Sequence, residues 1–195
     1  MATGATWKYR VGIYFVITIG ALFAALFVYH FVYRHPYWTL HAFVVPSNSF
    51  CPTICKGERV LVQMQMGSPY SPRRGDVIVF RHGPDDTNFI KRLIGMPGDL
   101  VGPGPGNTIL VNGQAWQPPS ICAKSLLGAD SGDSPISFQP ARVAEGQMFV
   151  IGDNLTNSYD SRFDEFGEVR PVQVVGKPVM IYWSPSGARI GCPIK

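Results

Sequence analysis

The hydrophobic pattern of this chain opens with one unbroken apolar run. From residue 11 to residue 33, 23 positions pass without an Asp, Glu, Lys or Arg. A helix of that length measures about 34 Å, enough to cross a bilayer core of roughly 30 Å. Lys8 and Arg10 stand just before the run, and Tyr33, Tyr37 and Trp38 lie at and beyond its far end, as an aromatic belt does. His30 is near the end of the run, where its ring can reach the interface. A cleaved signal peptide has an apolar core of about 7–15 residues and then a small-residue cleavage motif. This run is longer and ends in Tyr-Arg-His-Pro. The expectation is a retained transmembrane helix over 11–33. Lys8, Arg10 and the α-amino group outweigh Arg34, so the positive-inside rule puts residues 1–10 in the cytoplasm and 37–195 outside.

After residue 36 the pattern becomes short apolar stretches separated by turn residues. Strands are expected over 59–64, 76–80, 88–94, 108–111, 147–151 and 178–183. Gly67-Ser68-Pro69, Pro72-Arg73-Arg74-Gly75 and the Gly-Pro cluster 102–106 read as turns, and Asn112-Gly113 as a hairpin turn. Residues 117–140, rich in Pro, Ser and Gly, read as a long surface excursion. The fold class is therefore mainly β: a membrane helix followed by a compact antiparallel β-sheet domain.

Composition agrees with that picture. Among 195 residues, 46% are hydrophobic and 15% charged, with 21 Gly and 17 Pro, which suits short strands and turns better than a helical bundle. The net charge of +4 is scattered, which argues against nucleic acid as a partner. Four cysteines (Cys51, Cys55, Cys122, Cys192) include no C-x-x-C pair, and His30, His35, His41 and His82 are dispersed, so a zinc site is not expected.

The candidate chemistry begins in Pro46-Ser47-Asn48-Ser49-Phe50-Cys51-Pro52-Thr53. Prolines bias such a segment toward extended or turn conformations, where Ser47 and Ser49, two apart, point the same way. One hydroxyl can attack a carbonyl while the other helps hold the oxyanion. Taken alone, the segment reads as a polar turn after a strand, and it is the rest of the chain that points to chemistry. A serine nucleophile needs a base, and Lys91 is the candidate: on a strand its same-face neighbours are the apolar Phe89 and Leu93. A lysine base must be neutral near pH 7, against an ordinary pKa of about 10.4, and apolar burial lowers it in that direction. Arg92 stays protonated and cannot be the base. In the loop 152–162, Ser158, Asp160 and Arg162 fall at spacing two. Ser158 can orient the lysine amine while Asp160 and Arg162 pair.

Together these segments resemble the type I signal peptidase family, membrane-bound Ser/Lys endopeptidases. Residues 46–53 are similar to its nucleophile box, 74–80 to its paired-strand box, 89–99 to the box carrying the base, 152–162 to its final box and 176–183 to its closing strand. The boxes stand in family order behind an N-terminal anchor, over about residues 9–184. The resemblance implies Ser49 as nucleophile, Lys91 as general base, the Ser49 N–H and Ser47 hydroxyl as oxyanion hole, and Ser158 as orienter of the lysine. It implies shallow pockets for small substrate residues at −1 and −3 lined by Phe43, Val45, Phe50, Ile54, Phe89 and Ile90, and a structural loop held by Asp153, Asp160 and Arg162. No cofactor or metal is implied. The partners are preprotein signal peptides and membrane lipid, and the enzyme is expected to act as a monomer. Lysine at position 91 resembles the bacterial and organellar branch.

Three departures from the family pattern stand out. Phe50 replaces a usual Met, Leu155-Thr156 replaces a usual Arg-Asp, and Cys51 and Cys55 flank the nucleophile. They leave room for a specialised processing peptidase of the same fold, such as one that matures conjugative pilins. A thiol oxidoreductase using Cys51 and Cys55 lacks the C-x-x-C spacing and a βαβ pattern. A bridge is expected between Cys122 and Cys192, with Cys51 and Cys55 as small, half-buried hydrophobes because Pro52 stiffens their link. Ser49 follows the anchor by 16 residues through a largely apolar link, so the active site is expected against the bilayer surface.

Overall fold

The computed structural model describes residues 3–34, 40–65, 70–118 and 136–195, and, within the first of these, the side chains of 14–30. The chain divides into two compact units, Met1–Trp38 and Thr39–Lys195.

The first unit is one helix, α1 (Thr3–Arg34), which contains the whole apolar run. Tyr14, Phe15, Val16, Leu22, Phe23 and Phe27 are each more than half exposed on it. Among the described residues no helix is long and apolar enough to cross a membrane.

Among the described residues the second unit is built from ten strands. In chain order they are β1 (Leu40–Val44), β2 (Arg59–Met64), β3 (Val77–His82), β4 (Thr87–Gly95), β5 (Leu100–Pro103), β6 (Ile109–Val111), β7 (Gln114–Ala115), β8 (Ala141–Arg142), β9 (Phe149–Ile151) and β10 (Val174–Trp183). Six form an antiparallel sheet in the order β1-β2-β10-β3-β4-β9, and four form a smaller one in the order β7-β6-β5-β8. The large sheet carries apolar residues on both faces. On β3, Val77 and Val79 join a cluster with Val60, Val62 and Ile54, while Ile78 and Phe80 join another with Leu93, Val150 and Phe166. Alternate residues of a strand point to opposite faces, so a strand packed on both sides reads as a continuous apolar run. A third cluster, with Ile94, Val101, Val111 and Phe149, lies between the large sheet and the small one. Each such fully buried side chain contributes about 1.5–3 kcal/mol.

Several expectations need correcting. β10 starts at Val174 rather than 178 and runs through Pro178, where the register shifts before Met180. Pairing with β3 ends at Gly176, so the N–H that proline lacks is not needed on that side. Gly102 and Pro103, read as turn residues, close β5 against Leu110 and Ile109. The small sheet therefore occupies a stretch where only 108–111 was expected as strand. Asn112 and Gly113 both take positive φ, 52° and 78°, in the hairpin joining β6 to β7. Of the expected excursion, 119–135 lies outside the described residues, as does the turn at Gly67-Ser68-Pro69. Ile136 and Phe138 pack on the third cluster and are not part of a surface loop.

The expectation for Cys51 and Cys55 is also overturned. Cys51 and Cys55 form a disulfide. Pro52 does not hold the link straight: the chain turns back, with the Ile54 N–H donating to the Phe50 carbonyl at 2.9 Å. That brings the two Cα atoms to 4.4 Å, within bridging range. Cys192 is disulfide-bonded as well, and Cys122 lies outside the described residues.

Candidate active site

The serine segment is fastened at both ends before it reaches the site. The Val45 N–H donates to the Glu58 carbonyl at 2.9 Å, and the Gly57 N–H returns to the Val45 carbonyl at 2.8 Å. Between them the chain makes a tight turn, with the Cys51 N–H donating to the Asn48 carbonyl at 3.1 Å. Ser47 and Ser49 do share a face, with their Oγ atoms 3.2 Å apart. Ser49 is half-buried and Ser47 exposed. Phe50 turns inward, 1% exposed, with the Arg92 guanidinium 5.6 Å from its ring centroid.

Lys91 arrives from the opposite side, on β4, paired with Ile78 of β3. It is 2% exposed, with Ile78 and Leu93 fully buried around it. Its Nζ lies 2.7 Å from Ser158 Oγ, to which it donates. Burial pushes its pKa down from 10.5 to about 8; the Asp160 carboxylate pulls it back up, Arg162 pushes it down and Asp153 raises it. About a tenth of such an amine is neutral at pH 7.

The loop after β9 ties the two sides together. Asp160, 0% exposed, accepts from Arg162 Nε at 2.7 Å and from the Gly152 N–H at 2.9 Å. Arg162 also donates to the carbonyls of Leu155 at 2.7 Å and Ser158 at 3.2 Å, which fixes the backbone beside the lysine's partner. Asp153 is gripped by Arg92 through two bonds of 2.8 and 2.7 Å and accepts from the Thr53 hydroxyl. Asn154 reaches the serine segment itself: its N–H donates to the Ser49 carbonyl at 3.2 Å and its Nδ2 to the Asn48 carbonyl at 3.1 Å. At Gly152 an added Cβ would meet both Ser158 Oγ and the Ser49 carbonyl. Only glycine lets the loop sit against the serine segment and the lysine's partner together. Leu155, in place of a charged residue, packs on the third apolar cluster near Trp116 and Ile136.

Ser49 and Lys91 open into one cleft of about 370 Å³. Val45, Ser47, Phe50, Phe89 and Ile90 line it with them. The sequence-based pocket also contained Phe43 and Ile54, and neither is on the cleft wall. Phe43 packs half-buried against the first apolar cluster, and Ile54 is fully buried within it. Asn88, Asn157 and Tyr159 are wall residues that the sequence reading did not single out. Arg92 and Gly152 were missed as well. Arg92 was considered only as a base, and a lone glycine before Asp153 carries no visible signal of close approach. Among the described residues no cluster of His, Cys, Asp or Glu is arranged to hold a metal ion.

Comparison with known proteins bears on the same residues. Residues 12–183 match the family described as signal peptidase, peptidase S26. Signal peptidase I of Bacillus amyloliquefaciens is 31% identical over 168 residues, covering 84% of this chain and 80% of that protein. Signal peptidase I of Leptolyngbya laminosa is 34% identical over 149 residues, covering 71% of this chain and 66% of that protein's length. A crystal structure of a signal peptidase I from Enterococcus faecalis V583 is 28% identical, covers 56% of this chain and 98% of that one, and superposes with a TM-score of 0.41. With most of its length inside the family's matched region, and the serine, lysine and loop segments all within it, this chain belongs to the signal peptidase family, peptidase S26, a family of serine endopeptidases.

Proposed function

We propose that the protein removes N-terminal signal peptides from exported preproteins, cutting after small residues at −1 and −3. In this reading Ser49 Oγ attacks the scissile carbonyl while neutral Lys91 takes its proton. The Ser49 N–H and the Ser47 hydroxyl hold the oxyanion, and a donor so placed is worth about 2.7–4 kcal/mol. The lysine then hands the proton to the leaving amine, and water, activated by the same Nζ, releases the acyl group. Ser158 holds the amine on line throughout. The observation that carries this reading is a lysine only 2% exposed that nonetheless opens on the serine cleft. Burial of that kind has no structural benefit of its own and lowers the pKa toward that of a base.

The reading extends to a membrane. In it α1 is a single-pass anchor, with the N-terminus in the cytoplasm and the catalytic unit on the extracytoplasmic side. The exposed apolar side chains of α1 support the anchor, and the Cys51–Cys55 bridge supports an oxidising compartment for the catalytic unit. Lipid and the preprotein's signal segment are then the partners. A narrower substrate list, as in a specialised processing peptidase, is the second reading. Phe50 favours it, because a phenylalanine on the cleft wall, in place of the methionine that the nucleophile-box resemblance implies, shapes a different pocket. The test is to incubate the purified protein in lipid or detergent with a preprotein and map the cut by mass spectrometry. Cleavage after a small residue at the signal-peptide boundary is expected; no cut, or cuts unrelated to that boundary, would refute the reading. Cleavage of one preprotein among many would select the specialist.

A further inference from the structure

Residues 184–195 lie beyond the stretch that matches the family, yet they are built into the catalytic unit. After β10 the chain turns and runs back along it: the Ile181 N–H donates to the Cys192 carbonyl at 2.9 Å and the Ile194 N–H to the Val179 carbonyl at 3.0 Å. That return delivers Arg189, 1% exposed, against the turn that Ser49 opens. The guanidinium donates to the Pro52 carbonyl at 2.6 Å and to the Thr53 carbonyl, and its Nε lies 3.1 Å from Glu58 Oε1. Glu58 in turn accepts from the Cys55 N–H at 2.8 Å and from the Ser184 hydroxyl at 2.9 Å. The same tail reaches the lysine strand, where the Lys195 carbonyl accepts from Arg92 at 2.7 Å.

The turn from Asn48 to Cys55 makes two backbone bonds of its own, Cys51 to Asn48 and Ile54 to Phe50. Its last carbonyls face inward, where backbone acceptors need partners. Arg189 supplies them, in the planar fork that suits two acceptors side by side, and Glu58 balances its charge. The residue does not line the cleft and makes no contact there. We propose that Arg189 is a positioning residue for the reaction: by capping the Pro52 and Thr53 carbonyls it fixes the turn, and so the direction of Ser49 Oγ and N–H. The inference rests on Ser49 being the nucleophile.

The experiment uses the full chain in lipid or detergent with a synthetic peptide spanning a signal-peptide cleavage site, with kcat and KM measured from pH 6 to 10. Arg189→Met should lower kcat by about 10²-fold, the cost of misplacing a reacting group by an ångström. KM should stay within about twofold, as expected when the lost interaction acts on the reacting group and not on substrate binding. The pH midpoint near 8 should not move, because Lys91 is untouched. Arg189→Lys should recover part of the loss. The double variant Glu58→Gln with Arg189→Met leaves no buried charge unpaired. It should melt close to the wild type and still show the kcat loss. Wild-type kcat in that folded double variant, a loss confined to KM, or a loss that merely follows the melting temperature would overturn the proposal. Ser49→Ala is run alongside: cleavage that survives in it overturns the nucleophile assignment together with this inference. Cleavage abolished there, with kcat kept in Arg189→Met, overturns this inference alone.

Discussion

Lys91 stands in the interior of a nine-residue strand, with Ile78 across the sheet and Leu93 along the strand fully buried beside it. Ser49 stands on a turn with no strand of its own, held by a disulfide, an arginine and the backbone of the 152–162 loop. In the proposed mechanism the difference follows from what each group must do. A lysine becomes a base by losing water, and a packed strand removes water from a side chain more thoroughly than a loop can. A nucleophile must meet an extended substrate and present a free backbone N–H, which a laddered strand cannot offer because its N–H groups are committed. One group is placed by apolar packing, the other by polar fastening.

The largest effects come from removing either group. Ser49→Ala and Lys91→Ala should each lower cleavage by about 10⁴-fold or more, and the double variant should be little worse, since the two act as a unit. Near-full activity in Lys91→Ala would break the comparison at its base side. Ser47→Ala should cost about 10²–10³ in kcat, the size of one oxyanion donor. A change confined to KM would make Ser47 a wall residue only. Gly152→Ala, which pushes a methyl group between the Ser49 carbonyl and Ser158, should cost about 10² in kcat by shifting both sides of the site. Wild-type kcat there would mean that the loop does not set their spacing.

Much of this arrangement was legible in the chain. β2 was read at its observed limits, 59–64, because its buried and exposed residues alternate with period two. The strand under Lys91 was legible because Phe89 and Leu93 flank it on one face. β5 was not, because Gly102 and Pro103 carry a local turn preference that pairing with β6 overrides. The Cys51–Cys55 bridge was misjudged because a turn's curvature comes from backbone bonds that a proline in the sequence does not announce. Arg189 was invisible for a different reason: its partners are carbonyls 136 and 137 residues away, and carbonyls leave no mark in a sequence.

The smallest predicted effect is on stability. Lys91 titrates near 10.5 when unfolded and near 8 in the native state. Below pH 8 both states carry the proton and the native state bears the cost of a buried charge, about 3 kcal/mol. Between pH 8 and 10.5 the unfolded state holds a proton that the native state has shed, so stability rises with pH across that window. Lys91→Met removes the charge and also a hydrogen bond worth about 1 kcal/mol. It should therefore melt higher by about 2 kcal/mol at pH 7, with the advantage shrinking between pH 8 and 10.5. Thermal denaturation of the two proteins across that range checks it. An unchanged or lower melting point at pH 7 would mean that the lysine is not buried at a cost.

The central claim, a buried lysine acting as base for Ser49, is tested most directly by the pH dependence of kcat/KM for one signal-peptide substrate. The account predicts a rate that climbs about tenfold per pH unit below the midpoint and levels off above about 8, where Lys91 becomes neutral. A profile with its midpoint near 6.5, as for a histidine base, or one still climbing toward 10.5, as for an exposed lysine, would contradict it.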